Sequence, residues 1–515
     1  MFSKSKLKNL GWAAVTSLSL FPSVPRAQDS SASIQDLDQK IRILERKLEV
    51  QDETALNKVP EPKLTAGDDG FSLKSGDGNY ILKWRGLLQA DYRGFVGDTN
   101  SPDAKALKDS SYTDPGDYTG KTPKVASTFL LRKVRPVFEA TLFKYYTFRV
   151  VPDFGGGTFA LQDAYAEANF WPEFKLRLGK FTPPISLERL QSSSDNNFVE
   201  YNYAAALAPS RDVGAQISGD LFEEIFHYDV GYFNGAEDGV SKDNDLTNHK
   251  DLAARVFVQP FKKIDIGFLN NLGVGVAGTW GEAWGDSVNF ALPSIRSAGQ
   301  NTIFSYSQNK AKGLVGATGS AFIPAGTILD SNTVRAAGDR SRFNPEAYWY
   351  AGSFSLFGEF ISSSLDVARS RPIRDTTGGV KTLVEGDFAT LTNKAWGASA
   401  SWVVTGEPTS FKGVKPRHAF SPDGSGIGAI EIVARAGQFL PDEKTFEKNF
   451  YADTTASVRK ATSFGAGVNW YLSKQVKWLL DYEHTAFEQG AKDAAGKIKD
   501  RDDEDVVTAR FQVNF

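Results

Sequence analysis

The sequence predicts an all-β protein: a transmembrane antiparallel β-barrel of about 16 strands, preceded by a signal peptide and a short N-terminal coiled-coil helix. Three observations lead to this fold class. From Phe71 onward, apolar and polar residues alternate in segments of about ten residues bounded by Gly, Asp, Asn and Pro. The last segment continues to the final residue, Phe515. Aromatic residues recur near segment ends, as in the girdles at a membrane interface.

The composition agrees with a large barrel and excludes several other classes. The 515 residues include 47 glycines, 37 phenylalanines and 10 tryptophans. No run of about 18 apolar residues occurs outside the N-terminus, which excludes a helical membrane protein. The absence of cysteine excludes disulfides, thiolate catalysis and Cys-ligated metals. With a net charge of −3, any preference for anions must come from a local arrangement of charges.

Residues 1–27 are predicted to be a secretory signal peptide. Lys4, Lys6 and Lys8 form a positive region, residues 10–21 are a short apolar stretch, and Ala27 is the candidate cleavage point. The alternative is a short membrane anchor. Export is favoured because the stretch is too short to span a bilayer comfortably and nothing apolar extends it.

Residues 28–52 are predicted to form a short periplasmic coiled-coil helix. Alternate spacings of three and four place five apolar residues on one helical seam: Ile34, Leu37, Ile41, Leu44 and Leu48. The alternative is an amphipathic helix that lies on the barrel rim. Residues 53–70 are interpreted as a linker because they contain Pro60, Pro62, Gly67 and Gly70.

Residues 71–515 are assigned to the barrel. In the last segment, apolar Val507, Ala509 and Phe511 alternate with Thr508 and Arg510. A soluble sandwich with one wet face would show the same alternation. The length of the strands, their continuation to the final residue and the aromatic girdles favour the membrane barrel. Two polar stretches rich in Gly and Ser, near 97–124 and 284–344, are predicted to be extracellular loops.

The polar side of each strand must point into the barrel, because the side that faces lipid must be apolar. On the first strands this rule places eight basic residues inside: Lys83, Arg85, Arg93, Lys133, Arg135, Arg149, Lys175 and Arg177. It places five acidic residues with them: Asp91, Glu139, Asp153, Asp163 and Glu167. The surplus of cations would attract anions, and arginine bonds oxyanions in bidentate fashion. The alternative is that these charges solvate a wide interior and pair with the acids.

The segment near 182–212 interrupts the strand pattern. Pro183 and Pro184 cannot lie in a central ladder, so the chain must leave the sheet here. We expect the segment to fold inward and narrow the barrel, with Lys180, Arg189 and Arg211 on it or beside it. A plain surface loop is the alternative.

Several stretches resemble the phosphate- and polyphosphate-selective porin family, porins O and P. They include LGKFTPPISLERL at 178–190, ALAPSRDVG at 206–214 and RFQVNF at 510–515, together with segments 70–74, 77–86, 416–424 and 467–472. The resemblance extends over nearly the whole chain after residue 70. It implies a homotrimer of sixteen-stranded barrels in the bacterial outer membrane, with an inward third loop and an arginine-lined path for small anions such as phosphate.

The resemblance also implies a basic pair on an early strand at the constriction. The matching place is Arg132-Lys133, followed by Arg135, so that a lysine replaces one arginine of the pair. Lysine offers no bidentate fork, which favours a broader anion preference. Strict alternation would turn Arg132 toward lipid, so a β-bulge is needed for both side chains to face inward. Arg189 is the candidate basic partner on the loop. The predicted anion pathway comprises Lys83, Arg85, Arg93, Arg132, Lys133, Arg135, Arg149, Arg177, Lys180, Arg189 and Arg211.

No catalytic, cofactor or metal site is predicted. A G-x-G-x-x-G string at 273–278 lacks a surrounding βαβ unit, and the four histidines lie far apart without zinc-ligand spacing. No basic block interleaved with aromatics indicates nucleic-acid binding. The favoured hypothesis is therefore an anion-preferring porin whose partners are outer-membrane lipid and small anions. The alternatives are a general porin or one for sugars or aromatic acids, and a barrel enzyme or anchor in which His484 beside Glu483 would act.

Overall fold

The computed structural model describes residues 30–57, 61–68, 70–96, 127–245, 247–264, 266–285, 289–307, 333–374, 380–449, 451–452, 457–492 and 497–515. The chain divides into two compact units, Met1–Pro60 and Glu61–Phe515. The predicted signal peptide at 1–27 and the predicted loop at 97–124 lie outside the described residues.

The first unit contains helix α1, which spans Ser30–Asn57 and so ends five residues beyond the predicted 28–52 segment. Nothing between Gln51 and Asn57 breaks a helix, whereas Pro60 cannot continue one. Ion pairs four residues apart, Lys40–Asp36 and Arg42–Asp38, support the helix. No helix among the described residues is long and apolar enough to cross a membrane. Association of α1 into a coiled coil stays a prediction.

The second unit is built from strands. The described residues contain β1 Lys63–Gly67, β2 Gly70–Lys74, β3 Tyr80–Phe95, β4 Thr128–Leu142, β5 Tyr146–Asp153, β6 Ala160–Trp171, β7 Phe174–Phe181, β8 Asp212–Leu221, β9 Phe226–Phe233, β10 Asp251–Val258, β11 Asn271–Trp284, β12 Ser294–Arg296, β13 Thr302–Ser305, β14 Val334–Ala351, β15 Phe354–Arg374, β16 Val380–Val403, β17 Ala429–Leu440, β18 Lys460–Tyr471, β19 Val476–Glu488, β20 Gly490–Lys492, β21 Ile498–Asp500 and β22 Glu504–Asn514. Two short helices, α2 Leu187–Leu190 and α3 Tyr203–Ala206, lie between β7 and β8.

Sixteen antiparallel strands close into a barrel, which confirms the barrel of the predicted fold class. These are β3 to β11, β14 to β19 and β22, each paired with the next in chain order. The barrel closes where β22 pairs with β3, from Val506 opposite Phe95 to Asn514 opposite Leu87. Closure leaves no wall strand with an unpaired edge in the bilayer.

The two ends of the barrel differ in the length of their connections. Short turns at 143–145, 172–173 and 352–353 lie at one end, and longer connections such as 182–211 and 234–250 lie at the other. Because short turns are periplasmic in bacterial barrels, we refer to these ends as the periplasmic and the extracellular end. One longer connection, 404–428, lies at the periplasmic end.

Burial alternates along the wall strands in the sense expected for a membrane barrel. On β19, Lys477, Asp481 and Glu483 are buried, whereas Trp478 and Leu480 are exposed. A soluble protein would hide the apolar side of this strand. The exposed apolar side therefore faces lipid, and the buried polar side faces the lumen.

Two predicted boundaries are wrong. The linker at 53–70 contains the end of α1 and a hairpin in which β1 pairs with β2, and β2 pairs with β3. Its glycines serve the turn of that hairpin, since Gly70 has a φ of 84°. The loop predicted at 284–344 ends earlier, because β14 begins at Val334. The polar residues of β14 point into the lumen, so a polar stretch here is still a strand.

Candidate functional site

Residues 182–211 leave the wall after β7 and lie inside the barrel; we call them the inner loop. Ile185, Leu187, Ala204 and Leu207 in this loop are almost completely buried. They pack with in-facing apolar residues of the extracellular half, among them Ile361. The loop therefore fills part of the lumen with its own small apolar core.

One part of the inner loop is held by the wall strands β14 and β15. The Ser186 amide donates a hydrogen bond to Asn344 Oδ1 at 2.9 Å. Glu359 accepts two more, from Ser186 Oγ at 3.1 Å and from the Leu187 amide at 2.8 Å. Ser186, with a φ of 70°, also caps α2 by accepting from the Arg189 amide. These contacts fix the position of the short helix that carries Arg189.

The next part of the loop is held by strands near the barrel seam. The Val199 amide donates to Asp481 Oδ2 at 2.7 Å. Lys477 Nζ donates to the Asn196 carbonyl at 3.1 Å, and Gln512 Nε2 to the Ser194 carbonyl at 2.9 Å. In-pointing side chains thus satisfy backbone groups that would otherwise be buried without partners.

Two vestibules meet at the inner loop. The extracellular vestibule has a volume of about 640 Å³ and the periplasmic vestibule about 380 Å³. Four residues line both, and we call them the shared ring: Arg135, Arg189, Tyr201 and Arg211. The shared ring therefore lies where the two vestibules adjoin.

Most of the predicted anion-pathway residues form ion pairs. Nine of the eleven do so, and a carboxylate often serves several of them. Glu139 contacts Lys83, Arg85 and Arg149. Glu200 binds Arg93 and Arg132, at 3.0 and 3.1 Å. The remaining pairs are Arg135–Asp153, Arg149–Asp163, Arg211–Asp163, Arg177–Glu167 and Lys180–Asp243. Nine cations thus share six carboxylates among the described residues, which leaves this set with a surplus of positive charge.

The two other cations in the set, Lys133 and Arg189, flank Tyr201. Lys133 Nζ lies 5.7 Å from the centre of the Tyr201 ring, and the Arg189 guanidinium lies 5.4 Å from it. Within the described part of the chain, neither has a carboxylate at ion-pair distance. Arg189 Nε donates to the Ala205 carbonyl at 2.6 Å. A buried ammonium is costly without a paired opposite charge, so an anion beside Lys133 would be favoured over a cation.

The β-bulge expected at Arg132 is present. Opposite β4, Gln89 pairs with Lys133 and Ala90 pairs with Leu131, so Arg132 is the extra residue. The bulge lets consecutive side chains turn inward, Arg132 to Glu200 and Lys133 to Tyr201. Gly155 lies directly against it, and a Cβ there would be 2.5 Å from the Arg132 carbonyl oxygen.

We expect Gly155→Val to disturb this bulge. The new side chain would overlap the backbone of Arg132 and Lys133, which costs about 1–3 kcal/mol in comparable overpacked sites. Thermal unfolding should show the loss of stability, and block of the chloride current by phosphate should weaken because both cations move. Gly358→Ala is the matched control, since its Cβ would meet the Gly397 carbonyl oxygen at an ordinary 3.6 Å. Equal phosphate block in both variants would contradict the role of the bulge.

Several residues of this region were not found by the sequence reasoning. Glu200 and Tyr201 lie on the inner loop, which has no periodicity that could reveal which side chains face the lumen. Other in-facing cations lie on later strands and are paired, such as Arg435 with Glu483 and Arg342 with Asp238. The rule of alternation would have found those two, because they occupy the polar side of their strands.

Comparison with known proteins gives a family match and a likeness to solved structures. The model of the family "Phosphate-selective porin O and P" matches residues 110–515. The chain is similar to the outer membrane channel DcaP of Acinetobacter baumannii, with 9% identity, a TM-score of 0.47 and coverage of 88% of this chain and 100% of that one. It is also similar to an anion-selective porin from Comamonas acidovorans, with 12% identity, a TM-score of 0.43 and coverage of 85% and 100%. No curated protein matches the chain.

The family match covers most of the chain, including the whole wall from β4 to β22 and the inner loop. It agrees with the closed sixteen-stranded barrel and with the segments that resemble this family. The chain therefore belongs to the phosphate-selective porin O and P family and is a channel-forming porin of the bacterial outer membrane.

Proposed function

We propose that this porin is a passive diffusion channel that prefers small anions of the phosphate type and has no catalytic role. The observation that carries the proposal is the charge balance of the predicted pathway cations, three of which belong to the shared ring. Nine of the eleven predicted pathway cations share six carboxylates, and Lys133 and Arg189 have none at ion-pair distance among the described residues. Three arginines stand where the two vestibules meet.

The magnitude of such an electrostatic effect is sufficient to select anions. At an effective dielectric constant of about 20, one unit charge at about 6 Å changes the energy of an ion by roughly 2–3 kcal/mol. A few such charges offset much of the cost of removing water from an anion. A cation of the same size meets the opposite sign and is disfavoured.

The pairing of the arginines favours a broad anion preference over tight phosphate capture. Arg135 is already held by Asp153 at 2.7 Å, and Arg211 by Asp163 at 2.7 Å. Their forks are therefore partly occupied before an anion arrives. Lys133 has no carboxylate at ion-pair distance among the described residues. Its ammonium is a point charge that contacts an oxyanion without bidentate geometry.

Recordings from the purified protein in a planar bilayer test this function. A reversal potential in a KCl gradient reports the ratio of chloride to potassium permeability, and block of the chloride current by phosphate reports a binding site. We expect chloride to be preferred and phosphate to block weakly. Preference for potassium would refute the proposal, and absence of conductance would favour the barrel enzyme or anchor.

We also propose that the protein is a homotrimer and that α1 contributes to its assembly. The proposal rests on the family and on the apolar seam of α1, where Leu37, Leu44 and Leu48 each expose more than half of their surface in the single chain. Exposed leucines at this spacing are typical of a helix that packs on another helix. Cross-linking of wild-type and Leu44→Glu protein, with Glu45→Gln as control, tests whether the seam strengthens the trimer.

A further inference from the structure

A third cavity opens beside the anion path. Its volume is about 540 Å³, and it lies at the periplasmic end between the inner loop and the wall from β6 to β10 and β14. Arg177, Thr182 and Leu190 line both this cavity and the periplasmic vestibule. The third cavity and the periplasmic vestibule therefore adjoin each other inside the barrel.

One wall of this cavity is aromatic, although side chains that point into a porin lumen are mostly polar. Phe257 of β10 and Tyr348 of β14 have ring centres 5.0 Å apart, and Phe411 of the 404–428 connection lies 5.5 Å from Tyr348. The three rings form a continuous row; we call it the aromatic row. These distances are those of interacting aromatic pairs, and all three residues line the cavity.

The charged groups of the cavity neutralise one another. Lys175 binds Asp220 at 2.8 Å, and His227 contacts the same carboxylate at 2.6 Å. Arg255 binds Glu346 at 2.7 Å. The cavity therefore has no surplus charge comparable to that of the shared ring, and what it offers a ligand is ring stacking beside polar groups.

The rings of the aromatic row are held in place before any ligand arrives. Gln259 Nε2 donates to the Tyr348 hydroxyl at 2.9 Å. Gln191 of the inner loop donates to the Phe411 carbonyl at 2.9 Å, which ties the 404–428 connection to the lumen. A fixed surface of this kind binds a ring with little loss of conformational entropy on the protein side.

We propose that this cavity is a binding site for the flat ring of a small aromatic anion, and specifically of an aryl phosphate. The proposal rests on the proposed function, because the anionic group is what the shared ring admits. The cavity then distinguishes among anions by stacking the ring on Tyr348 and Phe411. Its volume suffices, since a buried cavity of about 150 Å³ holds benzene.

Block of the single-channel chloride current tests the proposal with three probes: inorganic phosphate, methyl phosphate and phenyl phosphate. Methyl and phenyl phosphate carry the same head group, so the ratio of their blocking constants isolates the ring. We expect phenyl phosphate to bind roughly 3- to 10-fold more tightly than methyl phosphate, the usual value of one aromatic contact. In Phe411→Leu and in Tyr348→Leu this ratio should fall to near one.

Phe420→Leu is the matched control, because Phe420 belongs to the same connection but packs on Trp470, with ring centres 5.3 Å apart and outside the cavity. It should keep the wild-type ratio. Equal block by both esters in the wild type, or a ratio that survives both cavity substitutions, would overturn the inference. Failure of all three probes to block would instead count against the proposed anion path, so the two proposals can fail separately.

Discussion

Replacing Lys133 and Arg189 together by glutamate is expected to lower the ratio of chloride to potassium permeability by roughly ten- to a hundredfold. Even at the dielectric constant of bulk water, one unit charge at about 6 Å changes the energy of a passing ion by roughly 0.7 kcal/mol. Reversing that charge changes the energy by about 1.4 kcal/mol, which corresponds to a tenfold change in the permeability of that ion. These two residues are chosen because neither has a carboxylate at ion-pair distance among the described residues. Reversing their charges leaves no buried carboxylate without its partner. Reversing the charge of Arg135, in contrast, would leave Asp153 without its partner.

The permeability ratio should be measured from reversal potentials at about 0.1 M salt, where the Debye length is about 10 Å. Single glutamate variants should each give part of the effect. Lys83→Glu is the matched control, because its side chain is 41% exposed and lies 3.9 Å from Glu139, away from the shared ring. If Lys83→Glu changes selectivity as much as each single variant does, the whole lumen and not the position beside Tyr201 selects ions.

Much of this fold follows from one rule of alternation. A strand such as β19 shows apolar residues at every second position, and a lipid-facing wall is the arrangement that exposes them without cost. The same rule, together with the resemblance that implies an inward-facing basic pair, predicted the bulge at Arg132, since a strand without a bulge could not turn Arg132 and Lys133 inward together. The boundaries of β1 and β14 were missed because glycines and polar residues occur in strands as well as in loops.

The path of the inner loop could not be predicted from local sequence patterns. Its interruption by Pro183 and Pro184 is visible in the sequence, but its path depends on partners hundreds of residues away, such as Asp481 with the Val199 amide. Local patterns do not encode contacts at that separation. For the same reason Tyr201 and Glu200 could not be placed, although they determine which of Lys133, Arg93 and Arg132 is paired.

Glu359→Ala is expected to release the inner loop and to widen the channel at the shared ring. The substitution leaves two buried donors, Ser186 Oγ and the Leu187 amide, without an acceptor. Each buried donor left unsatisfied costs about 1–3 kcal/mol, so the local stability of the loop should fall by about 2–6 kcal/mol. Because α2 begins at these residues, Arg189 should lose its fixed position beside Tyr201.

Hydrogen exchange of the α2 amides and single-channel conductance report the two consequences. Exchange should accelerate at Leu187 and Arg189, conductance should rise, and anion preference should weaken, since a wider path keeps ions farther from the cations. Glu359→Gln retains one acceptor oxygen and should be intermediate. Ser355→Ala, on the same strand, removes a buried hydrogen bond to Ser401 that does not involve the loop, and it should leave conductance unchanged. Faster exchange in Glu359→Ala without a change in conductance would mean that the loop carries Arg189 but does not limit the width of the channel.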